Sequence, residues 1–164
     1  MKLLKRSLAM VAIAGLSVGC GSTINAPPAV GAAFASRALA VCKTAAAEKK
    51  AAGSFPYPDF NPTQPDASKF PGIARFEVKI VQNIKKWQRE MLALGQPPTG
   101  QGAWANVLRA LDSHVGSTIA QHAAAQRGDS QTFTRTYHEG RIASAEILSA
   151  ATAAGVPACA AILQ

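Results

Sequence analysis

Four stretches of the chain repeat apolar residues at helical spacing, and none of any length alternates as a half-buried strand does. From Gly31 to Ala52 an Ala-rich run of high helix propensity puts Phe34, Ala38, Val41, Cys42 and Ala45 on one face. A second run begins at Pro71, a residue suited to a helix start, and ends before Gly95 and Pro97-Pro98. Within it Ile73, Phe76, Ile80, Ile84, Trp87, Met91 and Leu94 share a face at about 100° per residue. The third spans Gln101 to Arg127, with Trp104, Val107, Leu108, Leu111, Val115 and Ile119 as its stripe. Gly128 is suited to cap that helix, and Asp129 or Ser130 to open the next. The fourth covers residues 131–154, its inner face reading Phe133, Tyr137, Gly140, Ser144, Ile147, Leu148 and Ala151, before Gly155 and Pro157 stop it. Gly140 and Ser144 are small and predict a close helix approach.

Between the first two helices lies a loop, residues 53–72, with five prolines and the aromatics Phe55, Tyr57, Phe60 and Phe70. Loops of this length are either functional or disordered, and the four rings argue against disorder. The expected fold is all-α: an up-down-up-down four-helix bundle with this loop lying across it. That topology brings the end of the fourth helix, and Cys159 beyond it, near Cys42 on the first.

The first residues change the picture. Lys2, Lys5 and Arg6 precede an uncharged apolar stretch, Ser7 to Leu16, too short for the roughly 20 residues that cross a bilayer. The run Leu16-Ser17-Val18-Gly19-Cys20 resembles the lipobox of bacterial lipoproteins, with Ser17 where Leu is most typical. The resemblance implies a signal peptide over residues 1–19 and a diacylglycerol on the Cys20 thiol. Residues 20–30 then form the lipidated Cys and a polar, Pro-containing tether, and residues 31–164 the bundle domain. Two or more acyl chains suffice for stable anchoring without a transmembrane helix. The expected place is the outer face of the cytoplasmic membrane, or the outer membrane of a diderm cell.

Loss of residues 1–19 removes three of the seventeen basic residues and none of the nine acids, leaving a balance of +5. This mild charge suits anionic headgroups or wall phosphates, and equally plain solubility. Cys42 and Cys159 remain as an even pair in an oxidising compartment, and a disulfide is the natural assignment.

The residues offer little chemistry. Neither Glu90 nor Glu139 is followed by a His three places on, as a di-iron bundle requires, and no Cys-x-x-Cys-His for haem exists. Met91 is the sole thioether of the mature chain, so no metal or cofactor is expected. His122, on the apolar side of the third helix, is either a ligand or acid/base group, or a hydrogen-bonded histidine placed against the helix dipole. His114 and His138 read as flank or surface positions. Arg127-Gly128-Asp129 reads as a tight turn between helices. On the second helix Arg75, Lys79, Lys86 and Arg89, with Gln82 between them, fall within an arc of roughly 80° opposite the apolar face. Glu77 and Glu90 fall outside that stripe. It suits an anionic polymer or an acidic envelope partner, and also simple solvation. No aromatics interleave with it, and nucleic acid is not expected as a partner.

The mature chain also resembles a group of small secreted proteins and lipoproteins of high-GC Gram-positive bacteria. The residues that carry this are Ala40-Val41-Cys42, Leu94 to Pro98, the Ala-rich stretch Ala123 to Asp129, and Ala-x-x-x-Gly-x-x-x-Cys at Ala151 to Cys159. The resemblance implies a helical fold with a terminal disulfide and no particular activity. Three functions stay open. The first is a non-enzymatic interaction module tethered to the membrane. The second is a small-molecule or lipid binder with the aromatic loop over a pocket between helices. The third is an envelope hydrolase using His122.

Overall fold

The computed structural model describes residues 29–163, the side chain of Ala161 excepted. The expected signal segment, Cys20 and residues 21–28 of the expected tether lie outside the described residues. Four helices form the fold: α1 (Ala32–Ala51), α2 (Phe70–Ala93), α3 (Gln101–Arg127) and α4 (Ser130–Ala153). Short 3-10 segments at Ala67–Lys69 and Pro157–Leu163 precede α2 and follow α4. Among the described residues every regular element is helical, and no helix is long and apolar enough to cross a membrane.

The helix ends have local causes. Lys49 and Lys50 occupy the last turn of α1, where the dipole favours cations. Asp66 accepts from the Ser68 amide and opens the turn that leads into α2. That turn places Phe70, one residue before Pro71, as the first residue of α2. The α3–α4 junction is compact. Gly128 adopts φ +70°, its amide bonds Ala125 O, and the Asp129 amide reaches back to Ala124 O. This paired return satisfies the last carbonyls of α3 and needs a left-handed residue. Asp129 then accepts from the Thr132 amide at 2.9 Å and caps α4. The tripeptide Arg127-Gly128-Asp129 is thus occupied by the turn.

The bundle is up-down-up-down, with α3 and α4 sharing the most extensive contact. There Gly140 meets α3 so closely that a Cβ would stand 3.2 Å from Ser117 Oγ. The buried line of α4 runs Phe133, Thr136, Ala143, Ile147 and Ala151. Leu148, expected inside, is 50% exposed because Ile147, one residue or about 100° around the helix, takes the interior position. The C-terminal 3-10 segment was not anticipated. It lies between α1 and α4 and brings Cys159 to Cys42 of α1, forming a disulfide with Cα atoms 5.0 Å apart. Val30, assigned to the tether, is buried, and its amide donates to Ala154 O.

Two apolar clusters fill the interior. The larger joins Phe34, Ala38, Cys42, Trp87, Met91, Trp104, Leu111, Ile147 and Val156. Phe34 and Trp104 meet edge to face at 4.8 Å there, and the Met91 sulfur packs 3.9 Å from the Cys42 sulfur. The smaller joins Phe70, Ile73, Ala124, Ala125 and Phe133 beneath Tyr57 and Phe60 of the loop.

Candidate functional site

Between the two clusters the side chains do not close. A cavity of about 480 Å³ lies there, open on one side. Ala45, Ile84 and Trp87 of the larger cluster form one end and Phe60 and Phe133 of the smaller form the other. Phe76 and Ile80 of α2 wall it from one flank, Thr118 and Gln121 of α3 from another, and Ile162 and Leu163 of the C-terminal segment complete it. This volume falls within the range of small-molecule sites.

The loop forms part of the wall. Phe55 stacks edge-on against Phe76 at 5.6 Å and lies 5.8 Å from Phe60. Phe60 in turn meets Phe133 edge-on at 5.7 Å. Thr134 Oγ1 donates to Pro62 O and ties the loop to α4, while Asn61 Oδ1 accepts from the amide and hydroxyl of Thr63. The four expected loop aromatics divide in role. Phe55 and Phe60 line the cavity. Tyr57 instead lies on the start of α2, its hydroxyl so close to Gly72 that a Cβ there would clash with it. Phe70 is sealed in the smaller cluster, 5.0 Å from Phe133.

One carboxylate lies in the wall. Glu77 is 7% exposed, on the same face of α2 as Ile73 and Ile84. Its Oε1 accepts from Gln121 Nε2 at 3.1 Å, and its Oε2 is buried without a hydrogen-bond partner. The nearest cationic candidate, His122 Nδ1, is 3.8 Å from Oε2, beyond hydrogen-bond distance, and is itself buried and unpartnered. Burial raises the Glu77 pKa to about 7, against a smaller opposing effect of the Gln121 amide. Burial pushes both His122 and His114 down, favouring the neutral imidazole.

Several expected positions move. Glu77, read only as lying outside the basic stripe, is a buried acid in the cavity wall, its Oε2 turned toward His122. Its signal was its place: four residues after Ile73 and three before Ile80, it sits in the apolar stripe. His114, read as a flank or surface residue, is half-buried and lines both this cavity and a more polar neighbour of about 550 Å³ walled by Gly140, Arg141 and Ser144. The cause is the close α3–α4 approach at Gly140, which encloses it. Ser144 Oγ is 3.4 Å from His114 Nδ1 but donates to Gly140 O at 2.8 Å, and that carbonyl also faces the imidazole. His138 is exposed, as expected. His122, for which hydrogen bonding was one reading, leaves Nδ1 unbonded toward Glu77.

The basic stripe is only partly open to solvent. Arg75, Lys79 and Arg89 are exposed, whereas Lys86 is half-buried and pairs with Glu48 of α1 and with Glu90 one turn along α2. Lys86 therefore serves the α1–α2 contact. Among the described residues no group of three or more His, Cys, Asp or Glu side chains is arranged to hold a metal ion.

Comparison with protein-family models, with curated proteins and with solved structures finds no match to this chain. What the site can do is therefore set by its own residues.

Proposed function

We propose that this protein is a ligand-binding helical bundle that takes a small, mainly apolar molecule into the cavity beneath the aromatic loop. The observation that carries this reading is the cavity itself. It is walled by Phe55, Phe60, Phe76, Trp87 and Phe133, with Lys49, Glu77, Asn83 and Gln121 among its polar residues. Large apolar walls with a few convergent polar groups are the ordinary anatomy of a small-ligand site. A bundle with no such role would gain by closing the space, since unfilled core volume forfeits packing. In this reading the loop is a cover anchored to α4 through Pro62.

The binding domain is further proposed to act at a membrane surface, held by acyl chains on Cys20. The support for this part is the lipobox-like run Leu16 to Cys20 and the charged, then apolar, segment before it. A Cys20→Ser variant is expected to leave the membrane fraction; continued membrane retention would remove the anchor.

The cavity is tested with a neutral fluorescent probe, N-phenylnaphthylamine, and the variant Ile80→Trp. Ile80 is half-buried on the cavity wall, so the indole has room to project into the space. The protein is expected to bind the probe saturably, and the variant to lose that binding while keeping its helical circular dichroism. Absent saturable binding, or equal binding by the folded variant, contradicts the reading.

A further inference from the structure

The cavity beneath the loop adjoins its polar neighbour, and the charge on their walls is one-sided. The two share His114, Thr118, Gln121, Tyr137 and Leu163. Lys49 of α1 lines the first and Arg141 of α4 the second, and neither has an ion-pair partner among the described residues. No acid lines the second cavity. The first has only Glu77, whose Oε1 is taken by Gln121 and whose Oε2 is sealed and turned toward His122. Glu77 is also far from Lys49 along the wall. Lys49 follows Glu48, whose carbonyl accepts from Asn83 Nδ2, and Asn83 is six residues, roughly 9 Å, beyond Glu77 on α2.

Lys49 is placed to meet what enters. It stands one turn after Ala45, which is buried on the same wall. The side chain is half-buried, and burial alone depresses its pKa, so the ammonium lies against the protein and not out in bulk water. Its charge acts on the His114 imidazole, which lines both cavities. The ammonium is nonetheless open to contact. It has no partner among the described residues, yet the unpartnered polar atoms sealed from solvent are those of Glu77, Trp87, Trp104 and His122 alone. An ammonium that has lost water without gaining an acceptor is costly, and an anion relieves that cost. The dipole of α1 does not require it there, since Lys50 serves the same last turn from an exposed position and lines neither cavity.

Resting on the ligand-binding reading above, we propose that the ligand is an apolar anion, such as an ionised fatty acid, its carboxylate pairing with Lys49 on the side of the cavity toward His114 and its apolar body lying among Phe55, Phe60, Phe76, Trp87 and Phe133. A carboxylate supplies both things the ammonium lacks, an acceptor and a counter-charge. Arg141 adds positive potential from the neighbouring cavity. The site therefore distinguishes an acid from the alcohol or amine built on the same carbon skeleton.

The experiment compares phenylbutanoate, phenylbutanol and phenylbutylammonium as competitors of N-phenylnaphthylamine on the full chain and on Lys49→Gln, Lys49→Arg and Lys50→Gln. It is run at about pH 6, where Glu77 is mostly protonated and the competing acid is ionised. The acid is expected to compete at least about tenfold more tightly than the alcohol, and the ammonium most weakly. Lys49→Gln is expected to lose about tenfold for the acid and little for the alcohol or the neutral probe, whose binding also reports that the variant is folded. Lys49→Arg is expected to keep the preference for the acid, and Lys50→Gln to leave it unchanged. Equal affinity for acid and alcohol, tightest binding of the ammonium, or an unaltered preference in Lys49→Gln each overturns the anion assignment while leaving the cavity a binding site. An equal loss in Lys50→Gln overturns it too, since the attraction would then belong to the basic surface at large. Failure of the fluorescent probe to bind at all removes both readings.

Discussion

Glu77 shows how one residue couples stability to the site. Its pKa rises from an ordinary value of 4.5 to about 7 in the folded chain. The folded state therefore holds a proton that the unfolded state releases, and stability falls as pH rises through that interval. The penalty is absent well below the unfolded value and complete above about pH 7, where it is on the order of 3 kcal/mol. His114 and His122 act oppositely. Their lowered pKa values cost stability as pH falls below the unfolded value of 6.5. Glu77→Gln is thus predicted to be more stable than the native chain near pH 8 and to lose that advantage near pH 5, as read by urea denaturation at both pH values. A variant destabilised equally at both would mean that the folded chain compensates the burial of the carboxylate. The same residue marks where a reading of the sequence stopped short. An acid at a core position of an amphipathic helix is visible in the spacing, but its place outside the basic stripe does not by itself say that it is buried.

At the scale of elements, the four helices and the long loop were legible because their signals are local. Gly128 and Asp129 fix the α3–α4 turn through their own backbone and side chain, and the α3 boundaries follow from that turn and from Gly100. The role of each loop ring was not legible. Phe55, Tyr57, Phe60 and Phe70 differ in what lies beneath them, and that depends on how α2 and α4 pack. Under the proposed function the loop ring that bears most on the ligand is Phe55, which is 37% exposed and rests on Phe76. Phe55→Ala is predicted to cost under about 1 kcal/mol of stability, since it vacates no sealed core, while weakening N-phenylnaphthylamine binding severalfold. Phe70→Ala is predicted to do the reverse. It opens the smaller cluster and costs about 3–5 kcal/mol, as thermal denaturation would register. Comparable destabilisation by both substitutions would argue that the loop is only a structural strap.

The whole molecule is closed by the disulfide. The pair could be anticipated from cysteine arithmetic and bundle topology; the seven-residue 3-10 segment that delivers Cys159 could not, because Pro157–Leu163 has too few residues to show a period. That segment also supplies Ile162 and Leu163 to the cavity wall, so the crosslink bears on the site as well as on the fold. Joining residues 117 positions apart stabilises the chain by about 4–5 kcal/mol in chain-entropy treatments. Reduction is predicted to lower the midpoint of thermal unfolding and, at temperatures where the chain stays folded, to weaken probe binding by loosening that wall. Undiminished binding after complete reduction would show that the segment stays docked without its crosslink.

If the space beneath the loop receives a ligand, the two tryptophans report it directly. Trp87 lines the cavity, whereas Trp104 is sealed against Phe34 in the larger cluster. The chain has only these two indoles, so each contributes one resolvable N–H resonance. Titration with N-phenylnaphthylamine, followed by nuclear magnetic resonance, is predicted to shift the Trp87 indole signal saturably at one-to-one stoichiometry and to leave that of Trp104 in place. If neither signal moves, or both drift together without saturation, the cavity is not the binding site proposed for it.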